Sequence, residues 1–155
     1  MNLRQTVSGW FKRISPKKTV SGWLERISPK KTLGQRGEAA AARYLRRRGY
    51  KVLARGDRLG PGELDLVMLD RDTIVFVEVK TRQTHDAGHP AEAVDDNKQR
   101  RLTRLAVTFL KRRRLLECPA RFDVVAITWP AEKWFPQIEH IKNAFDAVGK
   151  WEFYS

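Results

Sequence analysis

Two segments of the chain carry charged side chains within otherwise apolar runs. Glu63–Leu69 (ELDLVML) contains Asp65, and Thr73–Thr81 (TIVFVEVKT) contains Glu78 and Lys80. Charged groups are costly to bury in such runs unless they are paired or bound to a cation. Carboxylate oxygens are ligands that Mg²⁺ and Mn²⁺ prefer, and an ammonium group beside them suits a phosphate. The combination indicates metal-assisted hydrolysis of a phosphodiester bond.

Alternation along a strand decides whether these side chains can meet. Both segments are rich in β-branched and apolar residues, as strands are. On the first strand Asp65 is predicted to face away from Leu64 and Leu66, and on the second strand Glu78 and Lys80 share a face. A hairpin joining the two strands can therefore place the two carboxylates side by side if the register allows it.

The same pattern also has a purely structural interpretation. Glu78 and Lys80 could form an ion pair at a sheet edge, and Asp65 could be a carboxylate near a turn. Glu-x-Lys is a common tripeptide, so spacing alone leaves both interpretations open.

The surrounding elements are predicted in the order helix, three strands, helix, strand. Gly34–Arg48 is rich in strong helix formers and is followed by Gly49, while Asn97–Arg114 has one apolar face and many Arg and Lys elsewhere. The remaining predictions are strands at Tyr50–Ala54, Phe122–Thr128 and Gln137–Ile141, loops at Gly56–Gly62 and Thr84–Asp96, a hairpin turn at Asp70–Asp72, and a helical turn around Ala144 and Phe145. We therefore expect an α/β fold in which helices flank a mixed sheet.

Five motifs together resemble a known family. They are GxxGE at Gly34–Glu38, GELDLV at Gly62–Val67, FVEVKTR at Phe76–Arg82, GHPAEAV followed by Lys in Gly88–Lys98, and FDVV at Phe122–Val125. The second and third resemble the D...E-x-K core of the PD-(D/E)XK, or restriction-endonuclease-like, superfamily. The ordered set resembles the bacterial YraN family over Gly34–Phe145. This resemblance implies a restriction-endonuclease-like fold with an αβββαβ core.

The resemblance also implies roles for individual residues. Asp65 and Glu78 would bind Mg²⁺ or Mn²⁺, and Lys80 would be the catalytic lysine. Glu38 matches a helix-borne acid of archaeal Holliday-junction resolvases, where it would hold a second metal ion or a metal-bound water. The implied activity is hydrolysis of phosphodiester bonds in DNA, either branched or single-stranded. One departure is Arg55–Arg58 (RGDR), where the family often has an Asn.

The net charge of +13 and the pI near 10.4 predict a polyanionic partner. Nucleic acid is the first candidate partner, because clustered Lys and Arg bind its phosphates strongly, and an anionic membrane surface is the second. The candidate phosphate-binding residues are Lys98, Arg100, Arg101, Arg104 and Arg82. The alternative without a functional role is that the arginines form a solvated helix face and that Lys98 caps or solvates its helix.

Two other functions remain open besides the nuclease. The main rival is a non-cleaving nucleic-acid-binding protein of the same fold, and the third is a membrane-associated adaptor.

Residues 1–33 are predicted to form a basic tail that precedes a nuclease-like domain at 34–155. Val7–Thr19 is repeated as Val20–Thr32, a tandem duplication with a period of 13 residues. The tail holds eight Lys or Arg against one Glu, which is +7 of the total +13. A flexible extension, a nucleic-acid-binding arm and an interfacial membrane anchor all remain open.

Cysteine content and hydropathy indicate a cytoplasmic protein. Cys118 is the single cysteine, so the chain cannot form an internal disulfide. No apolar stretch is long enough to cross a bilayer. The resemblance to resolvases leaves a homodimer open.

Overall fold

The computed structural model describes residues 31–83, 94–130 and 132–149 of the 155-residue chain. Its elements are helix α1 at Leu33–Arg47, strands β1 at Lys51–Leu59, β2 at Gly62–Asp70 and β3 at Thr73–Arg82, helix α2 at Asp96–Arg113, and strands β4 at Ala120–Thr128 and β5 at Gln137–Phe145. The predicted αβββαβ succession is confirmed, and β5 follows it as the predicted edge strand.

The strands form one mixed sheet of five strands in the order β1-β2-β3-β4-β5. The β3 and β4 strands are parallel, and the other neighbouring pairs are antiparallel. A parallel pair needs a crossover connection, and the segment that contains α2 supplies it. This arrangement confirms the expected α/β class and is consistent with a restriction-endonuclease-like fold.

The sheet is buried on both faces by two separate apolar clusters. On one face Phe76 and Phe122 pack with Phe109 of α2, and on the other Leu66 and Val125 pack with residues of α1. A strand that is covered on both faces consists almost entirely of apolar residues, and this explains the apolar sequence of β3. A charged residue on this strand is therefore exceptional.

Helix α1 is fixed at its start and packs closely against β3. The Thr32 side chain accepts a hydrogen bond from the Gln35 N–H (3.2 Å), and the Gln35 side chain accepts one from the Thr32 N–H (3.0 Å), which completes a capping box. A Cβ atom at Gly37 would overlap Oγ1 of Thr81. Glycine is thus required where the helix crosses the strand.

The prediction of a loop at Gly56–Gly62 is wrong for most of that segment. Strand β1 continues to Leu59 and pairs with β2 up to the partners Leu59 and Gly62. Gly56 and Gly60 have positive φ angles of 54° and 66°, so the turn signals reflect real backbone irregularity. Pairing with β2 keeps the segment extended despite them.

The predicted helical turn around Ala144 and Phe145 is also wrong. Strand β5 runs from Gln137 to Phe145 with an irregularity near Asn143, which has a φ of 50°, and Phe145 then pairs with Phe122. The two phenylalanine rings stack with centroids 4.7 Å apart. This packing against the core holds the segment in the sheet.

Several predictions concern residues outside the described ranges. The 13-residue repeat lies there except for its last two residues, Lys31 and Thr32, and so does most of the loop at Thr84–Asp96. Within the part of the chain that the structure describes, no helix is both long and apolar enough to span a membrane.

Candidate active site

Asp65 lies where β2 separates from β3. The ladder between these strands ends at the partners Leu66 and Val77. Beyond it, Oδ2 of Asp65 accepts a hydrogen bond from the Val79 N–H at 2.8 Å. The side chain thus replaces a backbone acceptor and fixes the carboxylate beside β3, next to Glu78.

This separation explains one wrong prediction about the faces of β2. Strict alternation predicts Leu64 on the same face as Leu66, opposite to Asp65. In the structure Leu64 packs with Phe76 on the α2 side, whereas Leu66 packs on the α1 side. The alternation fails for Leu64 because β2 no longer follows β3 beyond Leu66.

Glu78 is a buried carboxylate on the central strand and is 5% exposed. Its Oε1 lies 3.1 Å from Nζ of Lys80 and 2.8 Å from Nζ of Lys98. Its Oε2 is buried and has no hydrogen-bond partner among the described residues. The Glu78 to Lys80 ion pair of the structural interpretation is therefore present, but on a central strand rather than at a sheet edge.

Lys98 was a candidate phosphate-binding residue, with capping or solvating its helix as the alternative, but local spacing did not predict its contact with Glu78. Its ammonium group contacts Glu78 inside the site. Its N–H donates to Oδ1 of Asp95 at 2.8 Å, which caps the start of α2 there. The available signal was the motif Gly88–Lys98, which ends at this residue.

Glu38 adds a further acidic group from α1. Burial, followed by the charges of Glu63 and Glu78, raises the pKa of Glu38. These interactions place its carboxylate within electrostatic range of the site. Glu63 itself is exposed at the start of β2 and pairs with Arg58 at 3.2 Å.

The electrostatics of the site favour a cation. Burial and the neighbouring Glu78 carboxylate raise the pKa of Asp65 to about 6, against the opposing effects of the Val79 N–H and the Lys98 charge. Burial is the larger of these two causes, and it disfavours the ionised carboxylate unless an opposite charge lies close to it. A bound cation would supply that charge.

The donor set fits Mg²⁺ or Mn²⁺ held by few protein ligands. Among the described residues, no group of three His, Cys, Asp or Glu side chains is arranged to hold a metal ion. Magnesium usually takes only one or two carboxylates together with waters and substrate oxygens. The oxygen ligands of Asp65 and the unpartnered Oε2 of Glu78 match this requirement.

The candidate phosphate-binding residues lie on α2 and at the end of β3. Arg100, Arg101 and Arg104 are exposed on α2, the helix that begins near Lys98. Arg82 ends β3 and is half-buried, and its carbonyl accepts a hydrogen bond from the Trp129 N–H at 2.9 Å. Three exposed arginines thus share a helix with Lys98, which contacts Glu78.

Comparison with known proteins places the chain in a family. The profile of the uncharacterised protein family UPF0102 matches residues 37–127, a span that includes all five residues of the site. A UPF0102 protein from Rhodopirellula baltica is 51% identical over 125 residues, covering 79% of this chain and 75% of the relative. One from Geobacter metallireducens is 49% identical over 114 residues, covering 74% and 92%. One from Caldicellulosiruptor saccharolyticus is 42% identical over 113 residues, covering 73% and 96%. The chain therefore belongs to the UPF0102 family, to which the resemblance to YraN also points.

Proposed function

We propose that this protein is a metal-dependent nuclease that hydrolyses phosphodiester bonds in DNA. The observation that carries the proposal is the state of Glu78, a buried carboxylate with two lysines on one oxygen and no partner on the other. A structural ion pair needs neither the second lysine nor the unpartnered oxygen, and leaving a buried acceptor unpaired destabilises a fold. A site that receives a cation and a phosphate accounts for both features.

Each residue of the site has a role in this proposal. Asp65 and Glu78 would hold Mg²⁺ or Mn²⁺, which when bound supplies Lewis-acid polarisation of the scissile phosphate and a lowered pKa for water. The Val79 N–H keeps Asp65 in place. The ammonium group of Lys80 orients the attacking water or offsets negative charge that develops at phosphorus.

Lys98 and Glu38 complete the proposed arrangement. Lys98 reaches the same oxygen of Glu78 from a different element, so it can bind a phosphate oxygen when the substrate enters. The raised pKa of Glu38 suits a carboxylate that accepts a proton from the attacking water. The exposed arginines of α2 would bind neighbouring phosphates along the substrate.

A cleavage panel tests the proposal. Labelled single-stranded, duplex, flapped and four-way-junction DNA would be incubated with the full chain in Mg²⁺, in Mn²⁺ and in EDTA. We expect cleavage of at least one substrate with metal and none in EDTA. Protein carrying Glu78→Gln, purified in parallel, controls for contaminating nucleases and should be inactive. Tight binding without cleavage of any substrate would instead support a non-cleaving nucleic-acid-binding protein.

A further inference from the structure

The connection between β4 and β5 presents two aromatic side chains to solvent. Trp134 is 94% exposed and Phe135 is 81% exposed. Full exposure of two adjacent large apolar side chains forgoes the stabilisation that burial would give and marks a contact surface. No ring or cation of the described residues contacts either side chain.

A third aromatic residue of the same connection behaves differently. Trp129 is half-buried and packs against the apolar cluster beneath α1. The guanidinium of Arg36 lies 4.4 Å from its ring centroid. Trp129 therefore serves the fold, and the exposure of Trp134 and Phe135 is not a general property of the connection.

The aromatic pair lies at the same end of the sheet as the proposed catalytic residues. Lys80 pairs with Ala126, and Arg82 pairs with Thr128, the last residue of β4. The connection that carries the pair begins at the next residue. Strand β3 thus runs from Glu78 and Lys80 toward the aromatic pair.

Resting on the proposed function, we propose that Trp134 and Phe135 form a stacking platform for unpaired bases of the substrate. Every nucleobase has a π face that can stack on an aromatic side chain, and nearby basic groups hold the backbone. A continuous duplex keeps its bases stacked inside and cannot use such a platform. The substrate class is therefore a nucleic acid with a single-stranded segment next to the scissile bond. The net charge of +13 favours a nucleic acid, which is a polyanion, over an uncharged apolar surface as the partner of Trp134 and Phe135.

Binding measurements in EDTA test the platform independently of cleavage. Fluorescence anisotropy would compare wild type with the Trp134→Ala/Phe135→Ala variant on three labelled probes: a single strand, an abasic strand of equal length and a blunt duplex. We expect the variant to lose roughly five- to hundredfold in affinity for the single strand. Its affinity for the abasic strand and the duplex should be unchanged, as should the slope of log affinity against log salt.

Two control variants make the result specific. Trp134→Phe keeps an aromatic face and should retain most single-strand affinity. Arg100→Ala/Arg101→Ala removes exposed charges and should weaken binding to all three probes while flattening the salt slope. Circular dichroism would verify that each variant is folded.

Several outcomes would overturn the platform. Unchanged single-strand affinity in the double alanine variant would do so, as would an equal loss on the abasic strand. A change from dimer to monomer by light scattering, or lost binding to anionic vesicles, as the sole effect would assign the pair to a second copy or to a membrane. Because none of these measurements requires turnover, an inactive protein could still have the platform, and an active one could lack it.

Discussion

At the residue scale, the sequence predicted that Asp65, Glu78 and Lys80 lie together, and it named Lys98 as a candidate phosphate contact without predicting its contact with Glu78. Asp65, Glu78 and Lys80 lie on adjacent strands joined by a short hairpin. Alternation places Glu78 and Lys80 on one face, and the hydrogen bond from the Val79 N–H holds Asp65 next to them. Lys98 reaches Glu78 from α2. Its position depends on how a helix packs on the sheet after a long connection, which local spacing does not encode.

Metal titration would separate ligands from the other residues of the site. Asp65→Asn and Glu78→Gln should each weaken Mn²⁺ binding at least tenfold by calorimetry, because a neutral amide is a poor ligand for a hard cation. Lys98→Ala should leave affinity unchanged or raise it, since Lys98 competes with a cation for Glu78. If Lys98→Ala weakened binding as much as Glu78→Gln, the assignment of ligands would be wrong.

Stability without metal should depend on the charge of Asp65. Its folded pKa of about 6 exceeds the ordinary value of 3.8, so stability should fall as pH rises from about 4 to about 6 and stay lower at neutral pH. Asp65→Asn can still accept from the Val79 N–H and should stabilise the protein by about 1 to 3 kcal/mol at pH 7.5 in EDTA. Thermal denaturation should show that this gain disappears near pH 4.

Asp123 provides a control in which the pKa shift has the opposite sign. Burial alone would raise the pKa of this carboxyl group, but hydrogen bonds from His140, Arg121 and the Asn143 N–H outweigh burial and lower it. Its ionised form therefore contributes stability that is lost as pH falls below the ordinary carboxyl range. Asp123→Asn should destabilise the protein by about 3 to 5 kcal/mol at neutral pH. If Asp65→Asn and Asp123→Asn both stabilised the protein, the opposite pKa shifts assigned to the two carboxyl groups would be wrong.

At the element scale, the sequence predicted the succession of helices and strands better than their ends. The long apolar runs of β3 and β4 and the amphipathic pattern of α2 have strong local signals. The ends of β1 and β5 depend on pairing with β2 and β4, and this overrides the turn signals at Gly56 and the helical pattern near Ala144.

The contact between α1 and β3 can be tested with two glycines of the same helix. Gly37→Ala should destabilise the protein by about 1 to 3 kcal/mol in urea denaturation, because the new methyl group overlaps Thr81. It should also displace Glu38 and slow any cleavage.

Gly34→Ala is the matched control. A Cβ there has its nearest neighbour, Oγ1 of Thr32, at 4.0 Å. Alanine has a higher helix propensity than glycine, so this variant should be more stable than wild type by about 0.4 to 1 kcal/mol. Equal effects of the two substitutions would mean that close packing at Gly37 does not position the helix.

At the scale of the whole molecule, charge should govern nucleic-acid affinity. The segment from Met1 to Lys30 contains seven Lys or Arg and one Glu, and it ends before the capping residue Thr32. Deleting it should weaken binding to DNA and flatten its dependence on salt, while circular dichroism and melting temperature remain those of a folded domain. An affinity that does not change between low and physiological salt would rule out phosphate binding by the basic surfaces.

The most direct test of the central claim is the cleavage rate of wild type and Lys80→Ala at saturating Mn²⁺ on the same labelled DNA. The proposed site predicts that wild type cleaves and that Lys80→Ala binds Mn²⁺ and DNA at least as well but cleaves at least a hundredfold more slowly. Equal rates for the two proteins, or no cleavage by wild type with any substrate, would contradict a nuclease centred on Asp65, Glu78 and Lys80.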